Sequence, residues 1–206
     1  NHGVYGFSVD NGSIRYALSA IKSIGRPVIE GIVREREEHG EYTSLKTFIE
    51  RNIDQINKRV VENLIKAGAL DCLEGNRKQK MTIYTQIIDS INQDKKHTMA
   101  GQLSLFDIAS EEDKKEFEIR MPQAAEYPKE MILTFEKEVL GIYLSGHPLE
   151  RYRNMMEKMI SAKTSDFQPD DETGIPEVYD NQKVIVGGMI TDKTIKYTKN
   201  NKVMAF

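Results

Sequence analysis

The chain of 206 residues contains one cysteine, no tryptophan and only six prolines. A single thiol, Cys72, excludes an internal disulfide framework and a zinc site built from several cysteines. No apolar run approaches the roughly 18 to 20 residues that a membrane-spanning helix needs. With 39% hydrophobic and 30% charged residues, the composition is instead typical of a globular protein with a buried core. Since no export signal stands at Asn1, we expect a cytoplasmic location.

The sequence motifs of catalysis are also missing. There is no GxxxxGK(S/T) phosphate loop, no HExxH, no CxxC, and no close group of aspartates on a strand that could hold two metal ions. His147 stands alone between a glycine and a proline, which favours a structural role in a turn. We therefore expect no catalytic residue, metal ion or cofactor within this chain.

The net charge of −3 conceals an uneven distribution of charge. Residues 14–68 contain ten basic and eight acidic side chains, and residues 183–202 contain five basic and one acidic. Between these segments, residues 107–140 contain ten acidic and five basic side chains. We expect any contact with a polyanion to lie in the two basic segments, although most charged runs are only solvated surfaces.

The periodicity of apolar residues predicts a mainly α-helical fold with a short β-hairpin near each end. Asp10-Asn11-Gly12 is a strong hairpin signal within residues 5–18. Residues 183–190 alternate as a strand, and Asn200-Asn201 turns the chain into a second strand over residues 202–206. Helical spacing predicts α-helices over residues 17–22, 26–39, 43–49, 57–67, 76–91, 131–140 and 149–160.

The turn between the first two predicted helices, residues 22–26, matches a helix-hairpin-helix. In this motif a glycine lets the backbone approach a phosphate, and the first N–H groups of the following helix point at the anion. The alternative is an ordinary helical turn that needs a glycine, and a second candidate turn at residues 66–69 is less distinct. The candidate contacts to a DNA backbone are Lys22, Ser23, Gly25, Arg26, Lys58 and Arg59.

Residues 92–126 lose helical periodicity and are mostly polar or acidic, which is typical of a linker. They contain one apolar cluster, Gln102-Leu103-Ser104-Leu105-Phe106. Leu105 and Phe106 gain no packing energy in a flexible chain unless something covers them, which favours a binding partner. The alternative is that the cluster folds back onto the helices of its own domain.

Four segments, in this order along the chain, resemble the alpha subunit of bacterial DNA polymerase III, of the DnaE type. They are IRYALSAIKSIG at 14–25, NKRVVENLIKAGALD at 57–71, QLSLF at 102–106 and EKEVLGIYLSGHPL at 136–149. QLSLF resembles the pentapeptide that binds the replicative sliding clamp. The resemblance runs over essentially the whole chain and implies a non-catalytic part of a DNA-directed DNA polymerase. The catalytic aspartates of such an enzyme, with their Mg²⁺, would lie upstream of Asn1.

The resemblance also implies a division of the chain. Residues 1–16 would be a hairpin at the end of the fingers region, and 17–160 a helical clamp-binding domain with its linker at about 92–126. Residues 161–182 would connect this domain to the first strands of an OB-type barrel at 183–206. The implied partners are the sliding clamp (the beta subunit) and double-stranded primer–template DNA, with no membrane. Single-stranded template is a further candidate at the barrel, where Tyr197 could stack on a base.

A protein of another class would also explain the two strongest features. A DNA repair factor or adaptor without polymerase activity could carry both a clamp-binding peptide and a helix-hairpin-helix. It would not explain the segment 136–149 or the start of a barrel, so the polymerase is favoured.

Overall fold

A computed structural model describes residues 1–10, 12–99, 119–171, 173–198 and 203–205. The chain divides into two units, Asn1–Ser145 and Gly146–Phe206, so the first unit ends before the boundary expected near residue 160. Of the buried apolar residues that the structure describes, all except Ala162 lie in the first unit. No helix in these ranges combines the length and the apolar character needed to cross a lipid bilayer. The fold is mainly helical, as the apolar periodicity predicts.

A β-hairpin lies near the start of the first unit. Strands β1, Ser8–Asp10, and β2, Ser13–Arg15, pair in antiparallel register with Val9 opposite Ile14. Gly12 has φ 78°, a left-handed backbone conformation that residues with a side chain adopt only at a cost. The predicted position of this turn is therefore confirmed.

The element after the hairpin differs from the prediction. Residues 17–22 do not form an α-helix, because Leu18–Ala20 make a single 3₁₀ turn and Ile21 is already extended. A competing hydrogen bond explains the difference. The N–H of Lys22 donates to the carbonyl of Val139 at 2.8 Å instead of continuing a helical ladder. The turn at residues 22–26 consequently has a full helix only on its C-terminal side.

Helix α1, Arg26–His39, follows this turn and carries Pro27 near its start. Proline is well suited there, because the first N–H groups of a helix have no partner within the helix. Ile29 and Ile32 are buried on the inner face of α1. The predicted start and end of this helix are both confirmed.

Helices α2, Leu45–Asn52, and α3, Lys58–Lys66, begin with side-chain caps. The side chains of Ser44 and Asn57 each accept a hydrogen bond at 3.0 Å from the N–H three residues further on. Such caps satisfy N–H groups that the helix itself leaves without an acceptor, which stabilises a helix by about 1 kcal/mol. α3 thus begins next to the predicted start at residue 57, whereas α2 begins and ends later than the predicted range 43–49.

The long helix α4, Arg77–Met99, packs against both α2 and α3. It continues to Met99 instead of ending near residue 91, and Lys95 in this extension pairs with Asp54 at 2.7 Å. Residues 92–98 are all polar, so the periodicity of apolar residues does not predict this last part of the helix. The predicted apolar stripe of α4 is confirmed, with its members buried or partly buried: Met81, Tyr84, Ile88 and Ile91.

Residues 119–126, expected to belong to a linker, pack against the start of α4. The side-chain amides of Asn76 and Gln79 donate to backbone carbonyls of this segment at 2.8 and 2.7 Å. In return, the Glu126 carboxylate accepts hydrogen bonds from the first two N–H groups of α4 at 2.9 and 3.2 Å. Negative charge is favoured at this positive end of the helix dipole. This part of the predicted linker is thus attached to the core.

Helix α5, Lys129–Leu140, ends the helical part of the first unit and packs against α3. Leu133 and Val139 are buried on its inner face. Gly141 follows the helix with φ 79°, so a left-handed residue terminates it in the usual way.

The second unit contains less regular structure. A 3₁₀ turn, Glu150–Tyr152, leads into helix α6, Arg153–Met159. Strands β3, Ile195–Tyr197, and β4, Val203–Ala205, form an antiparallel pair. A hairpin therefore lies close to the end of the chain, as predicted, but it begins later than expected.

The strand predicted over residues 183–190 is not formed. Ile185 pairs locally with Ser161, whose N–H donates to the Ile185 carbonyl at 2.9 Å and whose hydroxyl accepts from the Ile185 N–H at 2.8 Å. A strand requires such bonds to repeat along a ladder. Gly187 instead packs so closely on Ile160 that an added Cβ would lie 2.6 Å from its Cδ1. Alternation alone therefore misidentified this segment.

Gly68, just after α3, provides a test of the packing in the first unit. It has φ 76°, and a Cβ added there would lie 2.2 Å from Nη2 of the buried Arg77. We expect Gly68→Ala to lower the free energy of unfolding by about 3 kcal/mol, since backbone strain and displacement of a buried guanidinium combine. Urea unfolding followed by circular dichroism measures this loss.

Gly141→Ala is the matched control for this substitution. Gly141 has φ 79°, but no atom lies within 4 Å of an added Cβ, so only the backbone cost of about 1 to 2 kcal/mol applies. Equal losses in the two variants would contradict the close approach of Gly68 to Arg77.

Candidate nucleic-acid interface

Four of the predicted DNA-contacting residues line one groove on the first unit. Lys22 and Ser23 come from the turn before α1, and Lys58 and Arg59 come from the first turn of α3. The groove has a volume of about 550 Å³. Its remaining lining residues are Glu62, Asn63, Lys66, Glu138 and Val139. The fold thus brings two basic segments, which are separate in the sequence, to a single surface.

The turn at Lys22 and Ser23 has an unusual backbone. Ser23 has φ 64°, in the left-handed region that residues with a side chain normally avoid. Two hydrogen bonds hold the preceding residue: the N–H of Lys22 donates to Val139, and its carbonyl accepts from the Asn63 side-chain amide at 2.7 Å. Contacts from α3 and α5 therefore determine where this turn lies.

Gly25 and Arg26, which the sequence also singled out, do not line the groove. Gly25 precedes α1 with φ −76°, a conformation open to any residue, so the left-handed position of the turn is Ser23 instead. Arg26 donates to Glu30 at 2.7 Å and lies over the Tyr5 ring at 5.1 Å. Its charge is thus partly neutralised on the surface of α1.

Lys22 and Arg59 are the groove cations best placed to meet an anion. Both are exposed, and neither forms an ion pair with any residue that the structure describes. Lys58 is also exposed, but its Nζ lies 2.7 Å from the Asp89 carboxylate. Lys58 and Arg59 stand at the positive end of the α3 dipole, and the first turn of α3 contains no acidic residue of its own. Cations there are unfavourable for helix stability, so an approaching anion would relieve the repulsion.

Lys66 has a different environment on the wall of the groove. Its Nζ lies 2.9 Å from Glu62 and 3.0 Å from Glu138, and the ammonium faces the Phe135 ring at 5.5 Å. Burial alone would lower the pKa of Lys66, but its two carboxylate partners outweigh burial and raise the pKa. Lys66 therefore remains charged and joins α3 to α5.

The apolar pentapeptide, Gln102–Phe106, lies outside the described residues. Tyr197, the other aromatic candidate, is on β3 with 72% of its surface exposed. Its ring is accessible, as stacking on a base would require.

A buried charge network that was not predicted from the sequence adjoins the groove. Arg77 at the start of α4 donates from Nη1 to the Glu136 carboxylate at 3.2 Å and from Nη2 to Asp71 at 2.7 Å. Arg77 is 7% exposed and Glu136 is fully buried. One signal could have revealed Arg77: it lies seven residues before Tyr84, in register with the apolar stripe of α4.

The Glu136 carboxylate also holds the turn after α5. It accepts hydrogen bonds from the N–H groups of Leu144 and Ser145 at 2.8 and 2.9 Å, and another from the Ser145 hydroxyl. Burial alone would raise the pKa of Glu136, but these donors and Arg77 outweigh burial and lower the pKa below its usual range. Glu136 therefore stays ionised and connects α4, α5 and the turn.

Among the described residues, one group of side chains has the spacing of metal ligands. Ligand atoms of Glu35, Glu38 and His39, at the end of α1, lie within 4.8 Å of one another. Glu35 already accepts a hydrogen bond from Arg51 at 2.9 Å and lies 3.1 Å from His39. Glu35 is thus already paired with Arg51, and we assign no metal to the group.

Replacing Glu136 tests the buried network. Glu136→Gln removes one of the two carboxylates that pair with the buried guanidinium of Arg77, while Asp71 remains. We therefore expect a loss of about 2 to 3 kcal/mol in the free energy of unfolding at neutral pH. Glu50→Gln, on the exposed face of α2, is the control and should change it by less than about 0.5 kcal/mol. Urea unfolding measures both.

The same substitution predicts a change in pH dependence. Because folding lowers the pKa of Glu136, its contribution to stability is complete above the usual carboxyl value of 4.5 and disappears as the pH falls through the folded-state pKa. The free energies of unfolding of the parent chain and of the Glu136→Gln variant should therefore converge in acid. A difference that stays constant down to acidic pH would contradict an ionised Glu136.

Comparisons with known proteins identify related sequences. A family model described as a helix-hairpin-helix motif matches residues 1–80. The chain is 36% identical over 164 residues to the DNA polymerase III subunit alpha of Chlamydia pneumoniae, covering 79% of this chain and 13% of the relative. It is 34% identical to that of Borreliella burgdorferi and 32% to that of Vibrio cholerae, each over 201 residues, covering 97% of this chain and 17% of the relative.

The chain thus spans less than a fifth of the length of these curated relatives. Their agreement across nearly the whole chain decides against an unrelated repair factor or adaptor. The chain belongs to the family of bacterial DNA polymerase III alpha subunits.

Proposed function

We propose that this chain is a non-catalytic part of a replicative DNA polymerase and that its groove binds the sugar–phosphate backbone of duplex DNA. The observation that carries the proposal is the meeting of Lys22 and Arg59, from separate segments, in one groove. Both side chains are exposed and without an ionic partner among the described residues, so both are available to phosphate. Lys58 in the groove and Arg26 outside it are secondary candidates for a phosphate contact, because each already has a carboxylate neighbour.

The chemistry of the groove favours binding that is independent of base sequence. Lysine and arginine neutralise phosphates and release counterions, and such contacts position a protein on DNA without reading bases. Glu62 and Glu138 also line the groove, but Lys66 lies between them and neutralises part of their charge. A polymerase that must move along its template needs this kind of contact.

The intact enzyme would be a DNA-directed DNA polymerase that acts in the cytoplasm. Its relatives are named DNA polymerase III subunit alpha, and this chain corresponds to a small part of their length. In this proposal the catalytic aspartates and their Mg²⁺ belong to other parts of the enzyme, and the isolated chain is inactive. The role of the segment is to hold the enzyme on its substrate.

A second contact would be made by the pentapeptide Gln102–Phe106 with the sliding clamp, the beta subunit. Leu105 and Phe106 would enter an apolar cleft, with Leu103 beside them and the Gln102 amide fixing register through hydrogen bonds. Ordering a linker opposes binding, so the affinity of the isolated chain should be weak. Because the rest of the enzyme is already bound to DNA, tethering raises the effective concentration of the pentapeptide at the clamp. Tethering would therefore supply most of the processivity.

A third contact is proposed at the C-terminal hairpin. If β3 and β4 begin an OB-type barrel, Tyr197 and the neighbouring lysines would face single-stranded template. The exposed ring of Tyr197 supports this assignment.

Removing the free cations tests the DNA groove. The salt slope, defined as the magnitude of the fall in log affinity with log salt concentration, should decrease by about 0.9 in Lys22→Ala and in Arg59→Ala, because each substitution removes one phosphate contact. Fluorescence anisotropy with labelled duplexes of different sequence measures the slope and should give the same loss for every sequence.

Lys46→Ala provides the matched control, since Lys46 is an exposed lysine on α2 and does not line the groove. It should leave the slope unchanged. If all three variants bind duplex like the parent chain, the proposed groove is wrong.

Truncating the pentapeptide tests the clamp contact. Leu105→Ala with Phe106→Ala should weaken binding of the purified sliding clamp by at least about 2 to 4 kcal/mol, as expected for anchor residues. Isothermal titration calorimetry measures the affinity. Ile108→Ala is the control, because it truncates a neighbouring apolar residue outside the pentapeptide. Equal binding by the double variant and the parent chain would reject the assignment.

A further inference from the structure

Asn63 lies in the wall of the groove, and neighbouring residues cover most of its surface. Only 8% of the residue is exposed. Its side-chain amide donates to the backbone carbonyl of Lys22 at 2.7 Å, across 41 positions of the sequence. Asn63 therefore contacts the backbone of a groove cation and contributes no charge of its own.

The backbone of Lys22 is held from two helices at once. Its carbonyl accepts from Asn63 on α3, and its N–H donates to the Val139 carbonyl on α5 at 2.8 Å. Asn63 and Val139 are both buried, so water competes poorly for these bonds. The side chain of Lys22 is exposed to an approaching ligand while its backbone is fixed.

The residue after Lys22 requires such support. Ser23 has φ 64°, and a residue with a side chain retains this conformation only where surrounding contacts maintain it. The bond from Asn63 acts on the peptide group that joins Lys22 to Ser23. It is therefore the contact best placed to keep Ser23 left-handed.

We infer that Asn63 is a positioning residue for DNA binding. By holding the Lys22 carbonyl, it keeps the Lys22–Ser23 turn in its left-handed conformation and the Lys22 ammonium in the same groove as Arg59. This inference rests on the proposed function of the groove. In this inference Asn63 does not contact phosphate itself, but it determines the position of Lys22, which does.

The test uses the complete 206-residue chain and a labelled duplex of mixed sequence, with anisotropy recorded over a range of salt. Asn63→Ala should lower the salt slope by about 0.9, like Lys22→Ala, because the displaced ammonium of Lys22 no longer contacts a phosphate. The measurement is made at a temperature where circular dichroism shows every variant folded. If Asn63→Ala does not fold, Asn63→Leu removes the same donor while keeping the side-chain volume.

Asn52→Ala is the matched control. Asn52 is also buried and its amide donates to the Phe48 carbonyl and the Tyr42 hydroxyl at 2.8 and 3.1 Å, but it does not line the groove. Its removal should lower the melting temperature and leave the salt slope unchanged. A slope lowered as much by Asn52→Ala as by Asn63→Ala would reduce Asn63 to a structural role and overturn the inference.

Two double variants separate positioning from general stability. In the Lys22→Ala background, Asn63→Ala should cause no further loss of slope, because the effect passes through Lys22. In the Ser23→Gly background, Asn63→Ala should lose less affinity, because glycine adopts positive φ without strain. Additive losses in both backgrounds would overturn the inference.

The outcomes also distinguish the inference from the function on which it rests. If Lys22→Ala and Arg59→Ala leave the slope intact, the proposed groove fails. If those variants lower the slope and Asn63→Ala does not, the groove stands and the positioning role of Asn63 is wrong.

Discussion

The burial of Arg77 between two carboxylates is the interaction on which the first unit depends. A guanidinium and a carboxylate taken out of water lose solvation, which only close hydrogen bonds can offset. Arg77 meets Asp71 after α3 and Glu136 on α5, and it also donates to the Lys66 carbonyl at 3.2 Å. A packing that separated α4 from α5 would leave the fully buried Glu136 carboxylate without Arg77. The network therefore specifies how α3, α4 and α5 meet, while the apolar core supplies the driving force.

The groove is a consequence of that arrangement. Glu136 stands three residues before Val139, so the contact that fixes α5 also fixes the carbonyl that receives the Lys22 N–H. Asn63 on α3 donates the second hydrogen bond that holds the backbone of Lys22. Stability and the proposed DNA contact are thus coupled through the same pair of helices. A substitution in the buried network could therefore alter the groove by displacing the Val139 carbonyl, even though it replaces none of the basic residues of the groove.

The described residues of the second unit bury little apolar surface and contain little regular structure. Among its described residues, Ile190 is 87% exposed and Tyr197 is 72% exposed, and Ala162 is the buried apolar residue. Two strands of three residues each form a pair that is marginal without further packing. Alternation predicted a longer strand at 183–190, but a strand also needs a neighbour with a repeating ladder, which Ser161 alone does not provide.

The sequence by itself determined the features that depend on neighbouring residues. These include the Asn-Gly turn, the caps at Ser44 and Asn57 and the apolar stripe of α4. The sequence also singled out Lys22, Lys58 and Arg59, but the fold decided that they meet in one groove and that Arg26 lies outside it. Only the tertiary structure decided that the helix before residue 22 stops after one turn, that Ser23 is left-handed, and that Glu136 is buried. Each of these outcomes depends on a hydrogen-bond partner far along the chain. Periodicity and capping rules describe neighbours within a few residues, so they carry no information about such partners.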